Sequence, residues 1–106
     1  MLRKDRVRLT RSSGNVFLDL GFPPEEAEHL LIRSDLMVEL QKAISSRGLK
    51  HAAAAKILQV PQPRLTDLLR GRVDLFTTDT LIDMLGRLGV RVRLVMQAPR
   101  RRLKVA

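Results

Sequence analysis

Four polar side chains at positions 62 to 67 are the residues of this sequence whose types best suit recognition chemistry: Gln62, Arg64, Thr66 and Asp67. Glutamine can form two hydrogen bonds with the edge of an adenine, and arginine can do the same with a guanine. Leu65 lies among them, and Leu68 and Leu69 follow at one-turn spacing, so the segment is predicted to be a helix with one apolar face and one polar face. We therefore interpret these four residues as candidate readers of base edges.

A second short helix is predicted immediately before this one, from about Lys50 to Leu58. Its alanine run, residues 52–55, favours helix and leaves almost no side-chain bulk. The break is Gln59-Val60-Pro61, and two helices joined by so short a turn are typical of a helix-turn-helix. A large residue at position 55 would separate the pair, so we predict that the two helices pack through Ala55, Val60, Leu65 and Leu68.

Basic residues flank the two helices, and we predict that they contact phosphate: Lys50, His51, Arg70 and Arg72. Phosphate contacts fix the register of a protein on DNA, whereas base contacts choose the sequence. The competing interpretation is an ordinary helical hairpin with a solvated outer face, in which Arg70 and Arg72 are a solvated surface pair.

Charge and composition favour a nucleic-acid partner. Twenty Lys and Arg oppose eleven Asp and Glu, which gives a net charge of +9 on 106 residues. Such an excess predicts affinity for phosphate backbones through counterion release, although a membrane surface or an acidic protein would also attract it. The sequence has no Cys, no apolar run long enough for a bilayer and no signal peptide, so we expect a cytoplasmic protein without membrane contact.

No set of residues predicts catalysis, a metal site or a cofactor. The histidines are His29 and His51, and neither has Cys or carboxylate neighbours at zinc-binding spacing. We therefore expect a protein that is not an enzyme. An RNA-binding module is disfavoured as well, because single strands are usually held on aromatic side chains and this chain has three Phe, no Tyr and no Trp.

The remaining segments are predicted to support the two helices as one domain, residues 12–97, between a flexible basic arm, 1–11, and a basic tail, 98–106. Residues 16–20 form a short apolar run, either a strand or an irregular segment. Residues 24–47 have apolar positions three to four apart, which predicts one long helix or two shorter ones. A further helix is expected after the capping residues 77–79, and it ends at Gly89.

The pattern changes to a period of two after Gly89, which predicts a strand. Its alternating apolar residues are Val90, Val92, Leu94 and Met96. A lone strand needs a partner for its edge. Three candidates are the run 16–20, the same strand of a second subunit in a homodimer, and a bound partner protein.

The segment A-A-A-A-K-I-L-Q-V-P-Q-P-R-L-T-D-L-L-R-G, followed by V-D-L-F-T-T-D-T-L-I-D-M-L-G-R-L-G, resembles the Cro/cI-type (XRE) helix-turn-helix family. With the opening S-S-G-N-V-F-L-D-L-G-F it looks like the HigA-like antitoxin branch, and the likeness covers residues 12–97. The resemblance implies a mainly α, five-helix, lambda repressor-like fold with a short C-terminal strand. It also implies a dimeric repressor of a double-stranded DNA operator, in which Gln62 and Asp67 match groove-facing positions. A RelE/HigB-like ribonuclease toxin is the partner that the antitoxin branch implies, and inhibition of that toxin is the alternative primary function.

Three positions depart from the family pattern. Gln59 stands in the turn where Gly is usual, and a left-handed residue other than glycine costs about 1 kcal/mol. Lys50 and Pro61 stand where Ser or Thr would cap the two helices, and each lost cap costs about 1 kcal/mol.

Overall fold

A computed structural model of the chain describes residues 6–9 and 15–96. Within those ranges there are five α-helices, one 3-10 helix and two strands: β1 (Arg6–Leu9), α1 (Val16–Asp19), α2 (Pro24–Ser46), α3 (His51–Leu58), α4 (Gln62–Leu69), the 3-10 helix Val73–Leu75, α5 (Thr78–Arg87) and β2 (Arg91–Leu94). The predicted class, mainly α with five helices followed by a short strand, is confirmed. The predicted tail and most of the predicted arm lie outside the described residues.

The long helix α2 is the scaffold of the fold, and it is continuous rather than divided in two. Pro24 occupies its first turn, where a missing N–H costs nothing, and Glu25 and Glu26 lie at the positive end of its dipole. The buried face of α2 carries Ala27, Leu30, Leu36, Met37, Leu40 and Ile44. Helices α1, α4 and α5 all contact it.

The core is almost entirely aliphatic, as the low aromatic content predicts. Buried Leu, Met, Ile and Ala side chains from α2, α3, α4 and α5 form one cluster, and Phe76 is the buried aromatic residue in it. No polar or charged residue of the described segments is buried. The fold is therefore held by apolar burial, and the charged side chains remain at its surface.

The strand predicted after Gly89 exists, but its partner was not predicted. β2 pairs in parallel with β1 inside the same chain, with Arg6 opposite Arg91 and Leu9 opposite Leu94. The run 16–20, which was a candidate partner strand, instead forms α1 and the turn after it. The prediction that residues 1–11 form only an irregular arm is thus wrong for Arg6–Leu9.

Each of the five described α-helices ends in the same left-handed closure. The amide of the left-handed residue donates to the carbonyl three residues back, and the next amide donates to the carbonyl five residues back. Glycine supplies that residue in four of the helices, and Gln59 supplies it in α3. Gln59 has φ 60° and ψ 44°, and its closing bonds run from Gln59 N to Lys56 O at 3.2 Å and from Val60 N to Ala55 O at 3.0 Å.

Replacing Gln59 with glycine should stabilise the fold. A side chain at left-handed φ costs about 1–2 kcal/mol, part of which glycine returns through the greater freedom of the unfolded chain. We expect the free energy of unfolding of Gln59→Gly to rise by about 1 kcal/mol, which raises Tm by roughly 4–8 °C. Thermal unfolding followed by circular dichroism measures the change.

The matched control for that variant is Gly71→Ala at the same closure of α4. A Cβ at Gly71 would meet no atom within 4 Å, so only its φ of 76° opposes a side chain. This variant should lose about as much stability as Gln59→Gly gains. Equal Tm values for Gln59→Gly and wild type would show that the turn is not strained.

Candidate nucleic-acid interface

Helices α3 and α4 pack against each other through small and apolar side chains. Ala54, Ala55 and Leu58 of α3 lie in the same buried cluster as Leu65 and Leu68 of α4. Val60, in the turn between the helices, is half-buried against that cluster. The packing residues predicted from the sequence therefore all face the core or its edge, and the alanines leave room for α4.

The open side of α4 lies opposite Leu65 and Leu68. At about 100° per residue, Pro63, Thr66, Asp67 and Arg70 fall on the side away from those buried leucines. Gln62 lies at the edge of that side and is exposed in the first turn, whereas Thr66 and Asp67 are half-buried. Three of the four predicted base readers therefore share an accessible face.

Arg64, the fourth predicted reader, lies on a different flank of α4. Its Nη2 donates to the carbonyl oxygen of Leu75 at 2.8 Å, and its guanidinium carbon lies 4.3 Å from the centre of the Phe76 ring. Arg64 thus joins α4 to the end of the 3-10 helix and to Phe76, which follows it. The sequence did not indicate this contact, because its acceptor is a backbone carbonyl.

Among the described residues, two side-chain hydrogen bonds connect α4 to other elements, one near each end of the helix. Besides Arg64, Gln41 of α2 donates from Nε2 to the carbonyl oxygen of Leu68 at 2.9 Å. That carbonyl, in the last turn of α4, also accepts from the amide of Gly71 at 3.0 Å, so Gln41 adds a second donor that ties this turn to α2. Gln41 is therefore a positioning residue that sequence reasoning missed.

Local hydrogen bonding distinguishes the three residues on the accessible side. The Thr66 hydroxyl donates to the Gln62 carbonyl oxygen of its own helix at 3.1 Å. Gln62 and Asp67 have no side-chain hydrogen bond within the described residues. Gln62 keeps donor and acceptor atoms available, and Asp67 keeps two acceptor oxygens.

The predicted phosphate-binding residues are exposed. Lys50 and His51 stand at the start of α3, and no side chain caps that helix. Arg70 and Arg72 follow α4 on either side of Gly71. Uncapped amides at a helix start, next to a lysine, suit an anion.

The predicted dimer-strand residues divide into two pairs. Val90 is buried and Val92 is half-buried against the core of their own chain. Leu94 and Met96 are exposed, with 63% and 90% of their surfaces accessible. Val90 and Val92 thus support the fold of one chain, and only Leu94 and Met96 remain available for a contact with another.

Other kinds of site find no support in the described part of the chain. Residues 6–9 and 15–96 contain no group of three or more His, Asp or Glu arranged to hold a metal ion. Across the same ranges, no helix combines the length and the apolar character needed to cross a membrane.

The Arg64 contact predicts a stability effect that a solvated arginine would not show. A hydrogen bond from a charged donor and stacking on an aromatic ring together contribute about 1–2 kcal/mol at a half-exposed site. Arg64→Ala should lower the free energy of urea unfolding, followed by circular dichroism, by about that amount. Arg70→Ala, the matched change on the exposed side of α4, should stay within about 0.5 kcal/mol of wild type. Equal effects of the two substitutions would contradict the positioning role of Arg64.

Comparison with known proteins agrees with this geometry. The model of the helix-turn-helix domain family matches residues 16–97. A solved structure described as a "Putative XRE Family Transcriptional Regulator" is similar to this chain, with a TM-score of 0.67 and 27% sequence identity over 76% of this chain and 91% of that one. No curated protein matches the sequence. The chain therefore belongs to the helix-turn-helix domain family, and its fold is that of a Cro/cI-type, or XRE-type, DNA-binding regulator.

Proposed function

We propose that this protein is a sequence-specific transcriptional repressor that inserts α4 into the major groove of an operator. The observation that carries the proposal is the accessible polar side of α4 opposite its buried leucines. A helix fits the major groove, where each base pair presents a distinct pattern of donors and acceptors. Proteins of this family and fold typically act by binding rather than by catalysis.

Gln62 is the leading candidate for direct base reading. It lies in the first turn of α4, the part of a recognition helix that contacts base edges. Its exposed amide suits an adenine, and the acceptor oxygens of Asp67 suit the amino group of a cytosine. Thr66 contributes mainly its methyl group, because its hydroxyl is turned to the helix backbone.

The residues that flank the two helices, Lys50, His51, Arg70 and Arg72, are assigned to the phosphates on either side of the groove. Lys50 and His51 lie at the uncapped start of α3, and Arg70 and Arg72 lie just after the end of α4. An excess of basic residues, +9 overall, gives the sequence-independent part of the affinity. This arrangement separates positioning contacts from reading contacts.

We further propose that the repressor acts as a homodimer. A two-fold pair would place two α4 helices about 34 Å apart, one turn of DNA. The exposed Leu94 and Met96 beyond β2 are the apolar side chains that such a contact could cover.

Selection of bound duplexes from a randomised library tests DNA reading directly. Wild-type protein should enrich one sequence. Gln62→Ala should reduce the ratio of specific to scrambled-duplex affinity by about 5- to 150-fold, which corresponds to 1–3 kcal/mol. The control Lys42→Gln changes a cation on α2 whose side chain is 68% exposed, and it should leave that ratio unchanged. Failure of the wild-type protein to enrich any sequence would contradict the proposal.

A second candidate function is inhibition of a small ribonuclease toxin, as expected for a HigA-like antitoxin. The observation that favours a protein partner is an apolar surface around α1, with Val16, Leu18, Leu20 and Phe22 all exposed. Clustered exposed apolar residues often mark protein contacts. This role is compatible with operator binding, because α1 is not part of the α3–α4 pair.

Co-expression with a neighbouring small basic reading frame tests the antitoxin role. Wild type should relieve the toxicity of that frame, and Leu20→Asp should fail to do so while it retains wild-type binding to the selected duplex. Leu20 is a suitable site because 67% of its surface is exposed, so the substitution disturbs no core packing. Absence of any toxic neighbour would leave a plain repressor.

A further inference from the structure

The two strands of the sheet have the same sequence. β1 and β2 each read Arg-Val-Arg-Leu, and they pair in parallel and in register. Each residue type therefore lies opposite its own kind. Position 6 faces position 91, and position 8 faces position 93.

In the two-stranded ribbon formed by β1 and β2, the two arginines of β2 lie on the outer face. In β2, Val92 packs against the core, whereas Arg91 and Arg93 are exposed. Successive residues of a strand point to opposite faces, and in-register partners of a parallel pair lie on the same face. Arg91 and Arg93 thus lie on the face of β2 that is turned away from the helices, and the pairing register sets backbone positions 6 and 8 beside them.

This pairing concentrates positive charge at a marginal element. Paired strands lie about 4.8 Å apart, and like charges directly opposite each other weaken strand pairing. A two-stranded sheet has little stability of its own. A bound polyanion would offset the repulsion.

We propose that the outer face of the ribbon binds the phosphate backbone of nucleic acid, at a site separate from the accessible side of α4; the proposal rests on the proposed DNA-binding function. Arginine matches phosphate with paired hydrogen bonds, and a regular ladder of arginines suits a regularly repeating anion. The described outer face of β2 offers no aromatic side chain for base stacking. The ribbon therefore adds affinity without sequence preference.

Binding to a random-sequence duplex at several salt concentrations tests the ribbon. The variant R91Q/R93Q should reduce the slope of log K against log salt by about 1.8, because two phosphate contacts are lost. Its affinity at 0.1 M salt should fall by roughly 10- to 100-fold. R91K/R93K keeps both charges and should keep most of the slope, and Lys42→Gln controls for a cation elsewhere. Circular dichroism should show unchanged helix content in all three variants.

The possible outcomes distinguish the ribbon proposal from the repressor proposal. Normal enrichment of one sequence, with an unchanged salt slope for R91Q/R93Q, would overturn the ribbon proposal and leave the repressor intact. An unchanged slope together with a changed molar mass in light scattering would overturn it too, and would make the ribbon an interface between copies. Loss of slope with retained sequence preference would support it. Wild-type protein that binds no duplex at all would overturn both proposals.

Discussion

The direction in which α4 projects depends on how closely α3 lets it approach. Ala54 and Ala55 have side chains of one carbon, and both are buried in the apolar cluster that contains Leu65 and Leu68. Because interiors are close-packed, added bulk at either alanine would have to displace α4. The left-handed residue Gln59 turns the chain between the two helices within three residues. The packing of α3 against α4 therefore determines the positions of Gln62, Thr66 and Asp67 on the outer side of α4.

Apolar burial places α4 against the body of the protein, and two polar side chains then fix its position more closely. Gln41 of α2 donates to the Leu68 carbonyl of α4, and Arg64 of α4 donates to the Leu75 carbonyl. Backbone acceptors do not change with side-chain identity, so both bonds fix the place of α4 rather than its specificity. The residues on the accessible side of α4 do not take part in these two bonds. A helix anchored on one side can vary its other side without loss of orientation.

Local patterns predicted most of the helical body. Leucines at one-turn spacing identified α4, and residues 77–79 did contain the cap of α5, since Thr77 accepts from the amide of Thr80. The left-handed turn at Gln59 followed from the family resemblance. Long-range pairing was not predicted, because the partner of β2 lies in a segment that the sequence analysis interpreted as a flexible basic arm. The repeated sequence Arg-Val-Arg-Leu could have indicated the pairing. The basic residues around its first copy led instead to the interpretation of a flexible arm.

The role of Arg64 was also beyond sequence reasoning. Its residue type is equally suited to guanine and to a carbonyl beside an aromatic ring, so composition cannot choose between them. Only the position of Phe76, buried after the 3-10 helix, directs the guanidinium toward the body of the protein. The same argument applies to Gln41, whose acceptor lies 27 residues further along the chain.

The ribbon joins two segments that stand on opposite sides of the whole helical body in the sequence, about 85 positions apart. Pairing of the two strands closes a long loop, which costs conformational entropy. This cost is smaller once the intervening helices have packed around α2, because the strands are then held close together. β1 precedes the five described helices in the sequence and β2 follows them, so during synthesis β2 becomes available for pairing only after those helices. We therefore expect the two strands to pair only after the helical body has assembled.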